Sequence, residues 1–291
     1  MLHLLFVITI LTLGSSSYAE KSQPQEFTNT EMESAVELEK AVRAVRELYY
    51  TGSGEEVRVE APGNVSLEGL VSLLDKESML VDRNPSSLDY VRGLKEEGSV
   101  TDARFLEKNI AYIKVNFFGR RTGVDFENTL NHLGEGKVSG LIIDLRDNPG
   151  GVLQSALDVL DYFVPGDRLL ITEVHKNGRK QYFSQDKTQP ALTNDLPIVV
   201  LINASTASST EIVAATLRHY RGAVIVGQRS YAKGTIQEVI PLSAKKTLVL
   251  TTGEYTLVDG SSLKDTGIVP DYLVEGKERQ LETAVSILTG R

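Results

Sequence analysis

Residues 141–151 read Leu-Ile-Ile-Asp-Leu-Arg-Asp-Asn-Pro-Gly-Gly, and this stretch decides the fold class. Its first five residues form a nearly continuous apolar run, which is typical of a strand buried on both faces of a sheet. The Asn-Pro-Gly-Gly that follows is a strong turn signal. Residues 152–163 then carry apolar side chains at helical spacing. A buried strand that leads through a turn into a helix indicates a βαβ unit.

The same alternation extends outward from this stretch. The predicted strands are 110–115, 198–202, 223–226, 236–242 and 247–251, and the predicted helices are 124–133 and 211–220. Residues 169–174 and 180–183 flank Asn177-Gly178, which is the strongest short signal for a β-hairpin. Because strand–helix–strand units dominate 138–228, we expect an α/β core with parallel crossovers.

The chain before this core has a different character. Residues 31–50 and 67–74 show helical spacing, and 82–104 are polar and read as a connector with one more helical segment. We therefore predict a helical N-terminal region at 20–104, a catalytic core at 105–275 and a C-terminal helix at 276–291.

The first 19 residues predict a secretory signal peptide. A short apolar run at 4–13 precedes small residues that end at Ala19, the predicted cleavage position. The run is shorter than the ~20 residues that a transmembrane helix needs. An uncleaved anchor or a buried helix is the alternative, since positive charge before the run is weak. We expect an exported protein, either periplasmic or extracellular.

Composition excludes several kinds of chemistry. The 291 residues are 41% hydrophobic and 24% charged, which is ordinary for a globular protein. The net charge of −8 gives no global attraction for nucleic acid. The chain has no cysteine, so thiol catalysis and cysteine-based metal sites are impossible. It has only four histidines, so a histidine-rich metal site is not expected. We expect no cofactor and no metal.

Three segments carry residues that could act together. They are 144–151 with its paired glycines, 203–212 with a serine and threonine cluster before a helix, and 227–237 with a lysine beside glycine. Taken singly, they read as a turn, a helix cap and a solvated loop. Together they follow strands of one α/β sheet, where ligands commonly bind. They supply a nucleophile, a base and amide donors, the parts that acyl transfer needs. His219 lies ~16 Å from Ser208 on a continuous helix, too far for proton transfer, which leaves a serine–lysine pair.

At this point the motifs resemble those of the carboxyl-terminal processing serine peptidases. The three matching strings are Leu145–Gly151, Ser208–Ile212 and Lys233–Gln237. Two later stretches, 253–256 and 267–271, resemble the closing segments of the family. The stretch 73–78 resembles the family's Leu-Asp-Pro-His-Ser box. The resemblance implies a ClpP/crotonase-like core. It assigns Ser208 as the nucleophile, Lys233 as the base 25 residues later, and Gln237 as an assisting residue.

The remaining site residues are inferred from this assignment. Ser209 and Gly151 are the expected oxyanion donors through their N–H groups, with Gly150 close behind. Arg146 and Asn148 are expected to brace the turn. Because free lysine has a pKa of ~10.4, a lysine base must be desolvated to act near neutral pH.

Two departures from the family pattern affect this interpretation. Ser209 stands where the family has alanine, so it is an alternative nucleophile. Only 82–104 lie between the Leu-Asp box and the first core strand, too few residues for the family's PDZ domain. The way in which substrate is selected is therefore open. There are two alternatives to a peptidase: a repurposed binding protein on the same scaffold, and an interaction protein whose serines cap a helix. The predicted partner is a protein or peptide substrate; peripheral membrane contact and a homo-oligomer stay open.

Overall fold

The computed structural model of the chain describes residues 29–52, 66–82, 99–134, 136–185, 187, 196–264 and 266–290. Its helices are Asn29–Leu48 (α1), Leu67–Val71 (α2), Thr122–Gly134 (α3), Leu153–Leu160 (α4), Ser209–Arg221 (α5) and Lys277–Thr289 (α6). Its strands are Met79–Asp82 (β1), Val100–Phe105 (β2), Ile110–Val115 (β3), Gly140–Asp144 (β4), Leu169–His175 (β5), Gly178–Phe183 (β6), Ile198–Ile202 (β7), Val224–Gly227 (β8), Thr235–Pro241 (β9), Lys246–Thr256 (β10) and Tyr272–Leu273 (β11).

The apolar strand that opened the sequence lies inside a six-stranded sheet. The strand order is β11-β8-β7-β4-β3-β2, and every pair is parallel except β2 with β3. All residues of β4 and β7 are buried. Helix α3 connects β3 to β4, and α5 connects β7 to β8. The predicted α/β core with parallel crossovers is confirmed.

Both faces of this sheet are covered. On β4, Leu141 and Ile143 belong to the main core, whereas Ile142 belongs to a separate core on the other face. This alternation follows from the two-residue period of a strand. Ala284 of α6 is packed in the second core. Each fully buried aliphatic side chain of this kind contributes about 1.5–3 kcal/mol to folding.

A second sheet, entirely antiparallel, was not predicted from the sequence. Its order is β1-β10-β5-β6, and β9 pairs with β10. The expected hairpin is present as β5 and β6, but its two-residue loop is Lys176-Asn177. Gly178 is the first residue of β6 and pairs with His175. Helices α1 and α2 pack on β10 through an apolar cluster that includes Leu70, Leu248 and Leu250.

The N-terminal region differs from its prediction in two places. The segment expected to be a polar connector begins in β1 and ends in β2, and β2 is an edge strand of the six-stranded sheet. Residue 105, the predicted start of the core, is the last residue of β2. The predicted helical segment within 83–98 and the signal peptide at 1–19 lie outside the described residues. Among the helices that are described, none has the length and apolar character required to cross a membrane.

Candidate active site

The three segments singled out in the sequence meet where the parallel strands of the six-stranded sheet end. They follow β4, β8 and β7, which are adjacent parallel strands, so their carboxyl ends lie together. Backbone hydrogen bonds join them. Ala207 N–H donates to the carbonyl of Asn148 at 3.0 Å, and Tyr231 N–H donates to the carbonyl of Thr206 at 2.9 Å. We call these residues, 144–152, 203–208 and 227–234, the loop cluster.

Ser208 lies in this cluster at the N-terminus of α5. Its backbone has φ of 57° and ψ of −128°, a conformation that a residue with a side chain rarely adopts. The side chain is half-buried. Ser209 is different, because it is only 2% exposed and its Oγ is buried without a hydrogen-bond partner in the described part of the chain. Of the two candidate nucleophiles, Ser208 is the accessible one.

Gly150 packs directly against Ser208. Its φ is 101°, and a Cβ added there would lie 2.8 Å from the Ser208 Cβ and 3.3 Å from the Ser209 nitrogen. The Gly150 N–H donates to Asn148 Oδ1 at 2.9 Å, so it is already engaged within the turn. The N–H groups of Gly151 and Ser209 have no acceptor among the residues described. Of the three predicted oxyanion donors, these two are the unengaged ones.

Glu211 ties two parts of the loop cluster together, and the sequence analysis missed it. The residue is 0% exposed. Its Oε2 accepts hydrogen bonds from the N–H of Ser208 at 2.8 Å and the N–H of Lys233 at 3.0 Å. Its Oε1 accepts from the N–H of Ala232 at 2.9 Å and from Ser230 Oγ. The spacing from Ser208 to Glu211 is that of a capping box, and this signal could have identified Glu211.

Asn148 and Arg146 brace the turn, as predicted. The buried amide of Asn148 donates through Nδ2 to the carbonyl of Val115 at 3.0 Å. Its Oδ1 accepts from Thr210 Oγ1 at 2.8 Å, in addition to Gly150. Arg146 Nε donates to Asp144 Oδ1 at 2.9 Å. These contacts fix the backbone of the turn from two sides.

A buried group of charges lies below the turn. Asp144 contacts Arg146, Lys114 and the hydroxyl of Tyr112, which donates to its Oδ2 at 2.7 Å. Burial disfavours the ionised form of Asp144, but the hydrogen bond from Arg146 and the charges of Lys114 and Arg146 outweigh it. The pKa of Asp144 therefore lies below its ordinary value. Arg146 also donates to the carbonyl of Lys277 at 2.7 Å, which anchors α6 to this group.

Lys233 and Gln237 are placed differently from each other. Lys233 is half-buried, and its Nζ makes no ion pair with any described carboxylate. No hydrogen bond joins Lys233 Nζ to Ser208 Oγ within the described structure. The Gln237 Nε2 donates to Glu77 Oε2 at 2.8 Å and to Thr235 Oγ1 at 2.7 Å. Lys233 therefore lies in the loop cluster, whereas the amide of Gln237 is engaged by the N-terminal region.

Comparison with known proteins places this arrangement in a family. The sequence profile of peptidase family S41 matches residues 109–274, more than half of the chain. The chain belongs to peptidase family S41. The matched S41 region includes the whole loop cluster, and it confirms the resemblance drawn from the three motifs.

Curated S41 relatives are carboxyl-terminal processing proteases. A carboxy-terminal-processing protease of Bartonella bacilliformis is 36% identical over 174 residues, which cover 58% of this chain and 40% of that protein. Carboxy-terminal processing protease CtpB of Bacillus subtilis is 32% identical over 168 residues, covering 57% of this chain and 34% of the relative. The chain thus matches less than half the length of these S41 relatives.

Solved structures show the same fold. A putative peptidase from Parabacteroides merdae aligns with a TM-score of 0.61 at 17% identity, over 87% of this chain and 96% of that one. The photosystem II D1 C-terminal processing protease aligns with a TM-score of 0.54 at 22% identity, over 74% and 53% of the two chains. The predicted fold class is confirmed by these structures.

Proposed function

We propose that this chain is an exported serine endopeptidase that cleaves unstructured or C-terminal regions of proteins through an acyl-enzyme. One observation carries the proposal: Ser208 and Lys233 donate their backbone N–H groups to the same oxygen of Glu211, at 2.8 and 3.0 Å. Their nitrogens are therefore no more than about 6 Å apart, although 25 residues separate them in sequence. Glu211 thus holds the proposed nucleophile and the proposed base side by side.

The chemistry follows from these positions. Ser208 Oγ attacks the carbonyl carbon of the substrate while its proton passes to an uncharged Lys233 amine. The negative oxygen that forms accepts hydrogen bonds from the N–H groups of Ser209 and Gly151, each typically worth about 3 kcal/mol. The tetrahedral adduct collapses, and the leaving amine takes the proton from Lys233. Water, activated by the same amine, then releases the acyl group from Ser208.

Substrate binding completes this site. The side chains of Ser208 and Lys233 share no hydrogen bond here, and catalytic contacts of this kind often form only when substrate is bound. Lys233 is half-buried, so a peptide lying over it would exclude further water from its side chain. The 82–104 segment is too short to hold a PDZ domain, so a PDZ domain at that position would not select the substrate.

Export rests on the apolar run at 4–13 and the small residues up to Ala19. Sequencing the N-terminus of the protein made in a bacterial host with a cell envelope should give a first residue at position 20. Retention of Met1 in the purified protein would contradict export through a cleaved signal peptide.

Casein cleavage and labelling by a fluorophosphonate test the enzymatic proposal. Ser208→Ala should abolish both, and Lys233→Ala should reduce cleavage on the order of 10⁴-fold or more, because the two residues act as a unit. Ser209→Ala is the matched control: it keeps its backbone N–H and loses a hydroxyl that bonds none of the described residues, so cleavage should persist. Loss of activity in Ser209→Ala with retention in Ser208→Ala would overturn the assignment. A wild-type chain that neither cleaves nor labels would support a repurposed binding protein.

A further inference from the structure

We propose that Glu77 is a positioning residue that fixes the orientation of the Gln237 side-chain amide. The proposal rests on the proposed function, since it gives Gln237 its part in the peptidase site. Glu77 lies in Leu74-Asp75-Lys76-Glu77-Ser78, at the position of the histidine in the Leu-Asp-Pro-His-Ser box. Its Oε2 accepts hydrogen bonds from Gln237 Nε2 at 2.8 Å and from Thr235 Oγ1.

The turn that carries Glu77, residues 75–78, is clamped to the second sheet; we call it the N-terminal turn. Asp75 Oδ1 accepts from the N–H groups of Glu77 at 2.8 Å and Ser78 at 2.9 Å, which closes the turn. The same oxygen accepts from Thr251 Oγ1 at 3.1 Å, and Ser78 Oγ accepts from the Thr251 N–H at 3.1 Å. Thr251 is the direct partner of Gln237 in the β9–β10 register. The clamp therefore sets Glu77 beside Gln237.

A hydrophobic anchor holds the same turn from its other side. Leu67 and Leu70 of α2, which precede the turn, are buried in the cluster that contains Leu248 and Leu250 of β10. The hydroxyl of Tyr49, which follows α1, accepts from the Asp75 N–H at 2.9 Å. The position of Glu77 is thus determined by contacts that do not involve the loop cluster.

The chemistry of the two side chains explains why this contact orients Gln237. An ionised carboxylate only accepts hydrogen bonds, whereas a glutamine amide has a donating and an accepting end. Glu77 can therefore face only the Nε2 end, and Oε1 is left as the acceptor of the amide. A lysine base needs such an acceptor for one of its N–H groups, so that its lone pair is directed at the serine hydroxyl. In the reversed orientation, the amide would present N–H groups to the amine.

The charge of Glu77 is not neutralised by a neighbouring cation. Its carboxylate is half-buried, and both of its side-chain contacts, Thr235 and Gln237, are uncharged. Among the described residues it takes part in no ion pair. Replacement by glutamine therefore removes a negative charge from the site without breaking a salt bridge, which makes Glu77→Gln an informative variant.

The first test observes the amide itself and needs no activity. In ¹⁵N–¹H NMR spectra, the Gln237 side-chain NH₂ pair, assigned by its loss in Gln237→Leu, should exchange slowly with solvent in the wild type. In Glu77→Ala its exchange should accelerate about tenfold or more, because Nε2 loses its carboxylate acceptor and keeps only Thr235 Oγ1. Glu68→Gln, an exposed glutamate paired with Lys246 on the same region, is the matched control and should leave the signals unchanged. Equal exchange in Glu77→Ala and the wild type would overturn the proposal.

The second test measures the catalytic consequence. Glu77→Ala should lower kcat on labelled casein about 10–100-fold with less than a twofold change in KM, as is typical when a supporting residue is removed. On a Gln237→Ala background it should cause no further loss, since both variants remove one function. Glu77→Gln keeps one acceptor oxygen for the Gln237 amide, so it should lose less kcat than Glu77→Ala.

The outcomes separate this proposal from the proposed function. Additive losses in the double variant, or a kcat unchanged in Glu77→Ala, would contradict positioning through Gln237 even if the chain is a peptidase. A wild-type chain without cleavage or labelling would refute the peptidase proposal, while the NMR comparison would still decide whether Glu77 orients the amide. An unchanged melting temperature in Glu77→Ala excludes general unfolding as the cause.

Discussion

Two carboxylates serve the site, and they are built in different ways. Glu211 is 0% exposed and accepts four hydrogen bonds, three of them from backbone N–H groups of the loop cluster. Glu77 is half-buried and accepts two hydrogen bonds, both from side chains. Glu211 therefore determines the path of the backbone, whereas Glu77 determines how one side chain is turned.

Because of this difference, replacing the two carboxylates should affect the stability and the activity of the protein differently. A buried polar group that loses its partner costs about 1–3 kcal/mol, and backbone donors cannot move away to find water. Half-exposed side-chain donors can turn to solvent when their partner is removed. Changes in the loop cluster should thus lower stability and activity together, whereas changes in the N-terminal turn at Glu77 should lower activity alone.

The largest loss of stability is expected at Asp144, the first residue of the loop cluster. Asp144→Asn leaves Arg146 buried without its counter-charge and should lower the free energy of unfolding by about 3–5 kcal/mol. Urea denaturation at neutral pH measures this loss. A change below about 1 kcal/mol would mean that the charge group does not hold the turn and α6 in place.

Acid dependence gives a second measurement of the same group. Because the pKa of Asp144 is lowered in the folded protein, its stabilising contribution is complete above its unfolded pKa of about 3.9. The contribution is lost as the pH falls below that value through the folded pKa. Asp144→Asn should therefore lose less stability than the wild type when the pH is lowered from 5 to 2.

Glu211→Gln should produce the next largest effect. The amide offers one acceptor oxygen where the carboxylate offered two, so at least one backbone N–H must lose its bond, at a cost of about 2–3 kcal/mol. The melting temperature and the extent of phosphonate labelling of Ser208 should both fall. The matched change Glu77→Gln should lower stability by less than about 1 kcal/mol. Equal destabilisation by the two variants would remove the contrast between the carboxylates.

A smaller change in stability, with a marked loss of activity, is expected for Gly150→Ala. The new Cβ would lie 2.8 Å from the Ser208 Cβ at a φ of 101°, so the turn or the serine must shift. We expect a loss of about 1–3 kcal/mol and at least a 10²-fold loss of cleavage. Gly260→Ala, at φ of 85° with no atom within 4 Å, is the control for backbone strain alone. If Gly260→Ala impaired cleavage as much as Gly150→Ala, crowding of Ser208 would not explain the loss of cleavage in Gly150→Ala.

Much of the parallel sheet could be predicted from the sequence because its signals are local. The run in 140–144 is buried on both faces, and such strands lack polar alternation. The antiparallel sheet was missed as a unit, although most of its strands were identified. Which strands pair is decided by contacts between distant residues, such as Thr251 with Gln237, and periodicity carries no information on pairing. Strand β2 was missed because half of its residues are polar and most are exposed, so no buried apolar run marks it.

The candidate site likewise contains residues that the sequence identified and contacts that it did not. Motif spacing was enough to nominate Ser208, Lys233 and the glycines, because each follows a strand that the apolar pattern identifies. Glu211 lay within a quoted string without being assigned a role. Its capping-box spacing from Ser208 indicates a bond at the helix N-terminus, but it gives no sign of the bonds to Ala232 and Lys233. Gln237 was nominated as an assisting residue for Lys233, and only the structure shows that its Nε2 donates to Glu77.

Side-chain type and spacing along the chain were enough to predict the α/β class and the family, and to nominate the residues proposed to carry acyl transfer. Only the tertiary structure decided which donors at the turn are free, which serine is accessible and which carboxylate meets Gln237. Those properties depend on hydrogen bonds between residues up to 160 positions apart, and such bonds exist only once distant segments of the chain have folded together.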